Sequence, residues 1–132
     1  MKNIKDLIKI LLIIILSSYF VSCSSDLNIE PEKPEIILQS FTVRSPQHNT
    51  VKLIWVTSKE VGENTFTIQN SKDSQTWMNV GTINNNGTPT EYVFTQYNVN
   101  PRLVYFYRLE IHNYDTTFYS KPVGIKVSGI YF

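Results

Sequence analysis

The chain has 132 residues, 42% of them hydrophobic and 13% aromatic, with a formal net charge of +1. From residue 23 onward nine basic residues face ten acidic ones, so the body carries −1 and shows no basic stripe, which excludes an electrostatic nucleic-acid binder. That length holds one domain with a real core but not two, and five Gly and six Pro are too few for a low-complexity chain.

Residues 1–22 read as a targeting segment. Lys2, Lys5 and Lys9 make a basic start, Ile10-Leu11-Leu12-Ile13-Ile14-Ile15-Leu16 is an unbroken apolar run, and small and apolar residues lead to Cys23. This is the pattern of a secretory signal, and the run falls short of the ~20 residues that cross a bilayer. Phe20-Val21-Ser22-Cys23 resembles the bacterial lipobox, with Phe20 where Leu is usual. The resemblance implies that Cys23 is acylated and becomes the new N-terminus, held in the membrane by more than one chain, as stable anchoring requires. The alternative is an ordinary signal peptide that leaves a free thiol. Cys23 is the single cysteine of the chain, so it has no internal disulfide partner. Ser24, in place of Asp, is similar to Gram-negative lipoproteins that go to the outer membrane. Ser24-Ser25-Asp26 is similar to the surface-export signals of Bacteroidota lipoproteins, which leaves a periplasmic and a cell-surface orientation both open.

Residues 23–35 follow as an anchor and tether. Glu30-Pro31-Glu32-Lys33-Pro34-Glu35 is polar and twice interrupted by proline, which favours extended conformations. At ~3.1 Å per residue the stretch reaches about 40 Å, enough to hold a domain clear of the membrane.

From residue 36 to 132 strand signals recur at short intervals. A first run covers 36–43 and closes at Ser45-Pro46-Gln47-His48-Asn49. The second, 50–57, places Val51, Leu53 and Trp55 on one face and Lys52, Ile54 and Val56 on the other, before a turn at Glu60-Val61-Gly62-Glu63-Asn64. Strand 65–70 points Phe66 and Ile68 inward and ends at Ser71-Lys72-Asp73-Ser74. Strand 77–83 runs into Asn84-Asn85-Asn86-Gly87, a turn built from residues that tolerate positive φ. Strand 91–95 puts Tyr92 and Phe94 on one face. The longest run, 103–112, has Tyr105, Tyr107, Leu109 and Ile111 inward and Arg108 and Glu110 outward. Asn113-Tyr114-Asp115 turns the chain into a last strand over 118–127. Seven runs without a helical pattern predict an all-β, two-sheet antiparallel sandwich.

The order Val51-x-Leu53-x-Trp55, Phe66-x-Ile68-x-Asn70-Ser71-x-Asp73, Trp77-x-x-Val80-Gly81-x-Ile83 and Tyr105-x-Tyr107-Arg108-Leu109 resembles a fibronectin type III domain. It is especially similar to the immunoglobulin-like version found in secreted and surface proteins of Bacteroidota, over residues 36–128. The resemblance implies a seven-stranded sandwich in which Trp55 is buried on the second strand. It also implies that Tyr105 is a tyrosine-corner residue whose hydroxyl bonds back to upstream backbone. Tyr105, Tyr107 and Leu109, with Trp55, are the expected structural core. Asn98-Val99-Asn100-Pro101-Arg102 departs from the family's approach to that corner.

No catalytic constellation is evident. His48 and His112 lack Cys or carboxylate companions at zinc-ligand spacing, no Gly-x-Ser-x-Gly elbow or phosphate loop occurs, and Asp73 and Asp115 are single turn acids rather than a calcium loop. The chain is therefore expected to be non-catalytic and to need no cofactor or metal. Tyr97, Tyr114, Tyr119 and Tyr131 fall near turns or strand ends, where a ring either covers a domain edge or meets a sugar or protein partner. The tail Gly129-Ile130-Tyr131-Phe132 either packs back or offers an edge to another strand. Asp115-Thr116-Thr117 resembles the O-glycosylation motif of Bacteroidota, which would place a sugar on Thr116. Two functions fit these residues: a lipid-anchored protein-interaction or adhesion module of the cell envelope, and a glycan-binding accessory lipoprotein that uses its loop aromatics.

Overall fold

The computed structural model describes residues 35–129. Eight strand segments follow one another in that span: β1 (Glu35–Arg44), β2 (Val51–Val61), β3 (Asn64–Ser71), β4 (Met78–Asn84), β5 (Glu91–Gln96), β6 (Val104–Asn113), β7 (Thr116–Tyr119) and β8 (Val123–Lys126). They form two antiparallel sheets, β1-β2-β5 and β4-β3-β6, with β7 and β8 both paired to the far side of β6. The expected all-β sandwich is present. The last expected strand, 118–127, is two segments instead of one. Glu110 pairs with Tyr119 and Tyr107 with Val123, so the register slips by one residue across Ser120-Lys121-Pro122. Pro122 has no N–H to give a ladder, and at the break the Ser120 hydroxyl stands in as acceptor for the Leu109 N–H at 2.9 Å.

Alternation along the strands explains which side chains meet between the sheets. Val51, Leu53 and Trp55 of β2, Phe66 and Ile68 of β3, and Tyr107, Leu109 and Ile111 of β6 are fully buried, and Tyr105 nearly so. Trp55 lies at the centre, stacked on Tyr92 with ring centroids 5.3 Å apart and tilted against Phe66 at 5.4 Å. Each such side chain contributes roughly 1.5–3 kcal/mol through burial. The Trp55 indole N–H has no acceptor among the described residues, and there it acts through packing. On one open side of the sandwich the Phe94 ring covers Gly81, where an added Cβ would stand 2.4 Å from it.

Both ends are tied by side chains. Gly62, at φ 74°, makes the crossing from β2 to β3 with Glu63 alone between it and Asn64. The expected turn at residues 60–64 is thus shortened, because β2 runs on to Val61 and buries Glu60. Asn64 and Asn85 then clamp that end: Asn64 N–H donates to Asn85 Oδ1 at 3.0 Å and Asn85 Nδ2 donates to the Gly62 carbonyl at 2.9 Å. At the opposite end Asn49, at φ 55°, donates to the Ser128 carbonyl and accepts from the Val99 N–H. Ser128 donates from its backbone N–H to Ser45 Oγ at 2.8 Å. Val127 is buried and Gly129 lies against Pro101, so the chain packs back through residue 129.

Candidate functional site

The strongest departure from ordinary sandwich packing is on β3. Phe66 and Ile68 face the core, so Thr67, Gln69 and Ser71 face outward, yet all three are buried, Gln69 to 6% exposure. A second layer of side chains lies over them. Its centre is Arg108, which alternation sends outward from β6 and which pairs across the ladder with Gln69.

The Arg108 guanidinium sits between two rings, its carbon 4.2 Å from the Trp77 centroid and 4.0 Å from that of Tyr119. Its Nε donates to Gln69 Oε1 at 2.8 Å. The Gln69 amide in turn donates to Asn79 Oδ1 and to Glu110 Oε2, both at 2.9 Å. Glu110 Oε1 meets His112 Nε2 at 2.6 Å, and His112 Nδ1 meets the Thr117 hydroxyl at 2.9 Å. With Glu110 ionised, the Nε2–H donates to it, and in the neutral ring Nδ1 then accepts from Thr117. The result is a continuous polar row across β4, β3, β6 and β7. Cation–π stacking adds about 0.5–1 kcal/mol per ring at such a site, and its larger effect is to hold the guanidinium plane in one orientation.

Register brings these residues together. Gln69 faces Asn79 because the β3–β4 pairing slips by one residue after Ile68, leaving Val80 as an extra residue. Tyr119 arrives because it pairs with Glu110 beside Arg108. Arg108 and Glu110 were legible as outward residues of their strand, and Trp77 as part of a strand motif. No spacing within one strand could reveal that they meet.

Tyr97 and Tyr114, proposed from the sequence, do not meet. Tyr97 follows β5 at the end of the molecule where Val51 pairs with Gln96. Tyr114 is in the β6–β7 turn at the other end, where Asn64 pairs with Asn113. The two are separated by the length of β2, eleven residues or about 35 Å of strand. Both are exposed, Tyr97 to 67% and Tyr114 to 86%, but they form no common platform. Tyr114 overlooks a shallow depression lined by Glu63, Asn64, His112 and Asp115. Thr116 is exposed at the start of β7. The phenol hydrogen bond across the core belongs to Tyr107, whose hydroxyl donates to Gln96 Oε1 at 2.8 Å. Tyr105 contributes its ring, 6.4 Å from that of Tyr107, so the corner bond implied for it is not what the structure shows. Cys23 and Tyr131 lie outside the described residues. Among the described residues no group of three or more His, Cys, Asp and Glu side chains is placed to hold a metal ion.

No known family model matches the chain, and no curated protein does. Among solved structures, the solution structure of the sensor domain of the anti-sigma factor RsgI4 in Pseudobacteroides cellulosolvens is similar to it. The TM-score is 0.52 at 12% sequence identity, over 73% of this chain and 76% of that one. At that identity the likeness shows a shared β-rich fold.

Proposed function

We propose that this chain is a non-catalytic interaction module of the cell envelope, anchored through acyl chains on Cys23 and engaging a protein partner with the outer face of its larger sheet. The observation that carries this reading is the Trp77–Arg108–Tyr119 stack. Trp, Tyr and Arg are the residue types that dominate binding energy at protein interfaces, and here all three are held in one rigid array on a flat sheet face. Tyr119 is 49% exposed, so the array is reachable.

The anchor and tether rest on the leader and on Glu30-Pro31-Glu32-Lys33-Pro34-Glu35. They present the domain at an outer-membrane surface. The reading as a fibronectin type III-like domain draws support from the two antiparallel sheets and from Trp55 buried on the second strand. Thr116, exposed beside the Tyr114 turn, is the position for an O-linked sugar. The glycan-binding reading has less support, because its tyrosines stand at opposite ends of the domain.

The test places a photo-crosslinking amino acid at position 119, and separately at Val93 on the smaller sheet, in the full chain in cells. Discrete protein adducts from 119 and none from 93 are expected. Equal adducts from both positions, or none from 119, would overturn the proposed face. Intact mass of the membrane-bound chain should show acylated Cys23 as the first residue. An unacylated N-terminus elsewhere would remove the anchor.

A further inference from the structure

We infer that Arg108 anchors a side-chain carboxylate of the partner, and that the segment it accepts is acidic and extended. This rests on the interaction reading above and names the chemistry of that same face.

A guanidinium has five N–H donors. In Arg108 the Nε–H is used by Gln69, while Nη1 and Nη2 donate to no acceptor among the described residues. Both rings turn a face to the guanidinium carbon, and the donors left for a ligand lie on the edge that carries Nη1 and Nη2. That edge offers parallel N–H bonds to a planar anion, the geometry in which Arg binds carboxylates most strongly. Because the stack and the Gln69 bond already fix the side chain, little rotamer freedom is left to lose on binding.

The surrounding charges indicate the shape of the ligand. Val104, Phe106, Arg108, Glu110 and His112 share the outer face of β6, and Val104 pairs with Lys126 of β8, which puts Lys126 on the same face. Lys126 therefore stands beside residue 104, four positions from Arg108 and about 13 Å along the strand. On the other side of Arg108, Glu110 is engaged by Gln69 and His112 and repels an acid placed over it. The face thus reads positive at residue 104, positive at 108 and negative at 110. It suits an extended segment with two carboxylates about four residues apart. A sugar ring fits less well, since Trp77 and Tyr119 each turn one face to the guanidinium instead of lying open for stacking.

The experiment titrates the full chain in detergent with a twelve-residue Ser/Thr peptide carrying two Glu four positions apart, with its Gln counterpart, and with oligogalacturonate. Binding of the Glu peptide alone is expected, weakening as salt rises. Arg108→Lys keeps the charge but lacks the fork, and should weaken binding at least about tenfold. Lys126→Gln should weaken it less. A urea melt of each variant confirms folding, and the Gln peptide serves as the control that needs no variant. Absence of Glu-peptide binding, equal binding of the Gln peptide, indifference to Arg108→Lys in a folded protein, or binding of oligogalacturonate in place of the peptide would each overturn the inference. Protein adducts from position 119 together with any of these results would leave the interaction module standing and remove only the acidic partner.

Discussion

The Tyr92 hydroxyl donates to Glu60 Oε1 at 2.7 Å within the smaller sheet, and the same oxygen accepts from the Thr57 hydroxyl at 2.6 Å. Tyr92 also accepts from the Asn86 N–H at 2.8 Å. One carboxylate oxygen thus joins β2 to β5, and through Tyr92 to the loop that follows β4. The second oxygen, Oε2, is buried without a partner among the described residues, which satisfy this acid on one side only.

Removing Glu60 should therefore expose the cost of the two hydroxyls it receives. Glu60→Ala leaves the buried Tyr92 hydroxyl without an acceptor, while the Thr57 hydroxyl keeps the Thr90 carbonyl at 3.3 Å, and should lower stability by about 1–3 kcal/mol. Glu60→Gln keeps an acceptor at the same place and should cost less than half as much. Urea unfolding of the two variants checks this; equal losses would mean that the hydroxyl bonds contribute little.

Alkaline pH should act through two buried tyrosines, Tyr92 and Tyr107. Burial is the main cause that pushes Tyr92 and Tyr107 up to about 12 from the usual 10, and at Tyr92 the bond to Glu60 adds to it. Between those values the unfolded chain has released phenol protons that the folded chain keeps. Stability is then full below about pH 10 and falls as pH rises through about 12. Urea melts across that range should show the decline, and Tyr107→Phe should make it shallower.

Gly81 is expected to tolerate no side chain. An added Cβ would lie 2.4 Å from the Phe94 ring, and the ring is packed against the core. Gly81→Ala should lower stability by about 1–3 kcal/mol through overpacking. Phe94→Leu in the same chain should recover part of that loss, because the obstructing atoms are gone. Failure of the double variant to recover any would place the strain in the backbone.

Trp77 and Tyr119 should be coupled through Arg108. Each Ala substitution should lower stability by about 0.5–1 kcal/mol. In an Arg108→Gln background both losses should shrink, giving a measurable interaction energy in a double-mutant cycle. Additive losses would show that the rings pack independently of the cation.

The strands were legible because one face of each is apolar: Val51, Leu53 and Trp55, or Tyr105, Tyr107 and Leu109, repeat with period two and are buried together. The paired sheets follow from such runs with polar turns between them. Glu60 was not legible, since an acid beside Val61-Gly62-Glu63-Asn64 reads as part of a turn. It is buried to 5% exposure only because β2 continues past it and Tyr92 comes from β5 to meet it. The Arg108 array was hidden for a related reason. It depends on a one-residue slip at Val80 and on the pairing of β7 with β6, and both are properties of strands in register, not of any strand alone. Tyr97 and Tyr114 show the converse: composition marks each as exposed, and the fold decides that they do not cooperate.

The break at Ser120-Lys121-Pro122 bears on how the edge of the larger sheet can meet another chain. A long unbroken final strand would invite the ladder to continue from one copy into the next. Here that border is cut into two stretches of four residues, offset by one register step, and Pro122 blocks the junction with a position that cannot donate. A neighbouring strand in register with one stretch is out of register with the other. Pairing of another chain along this border is thereby disfavoured.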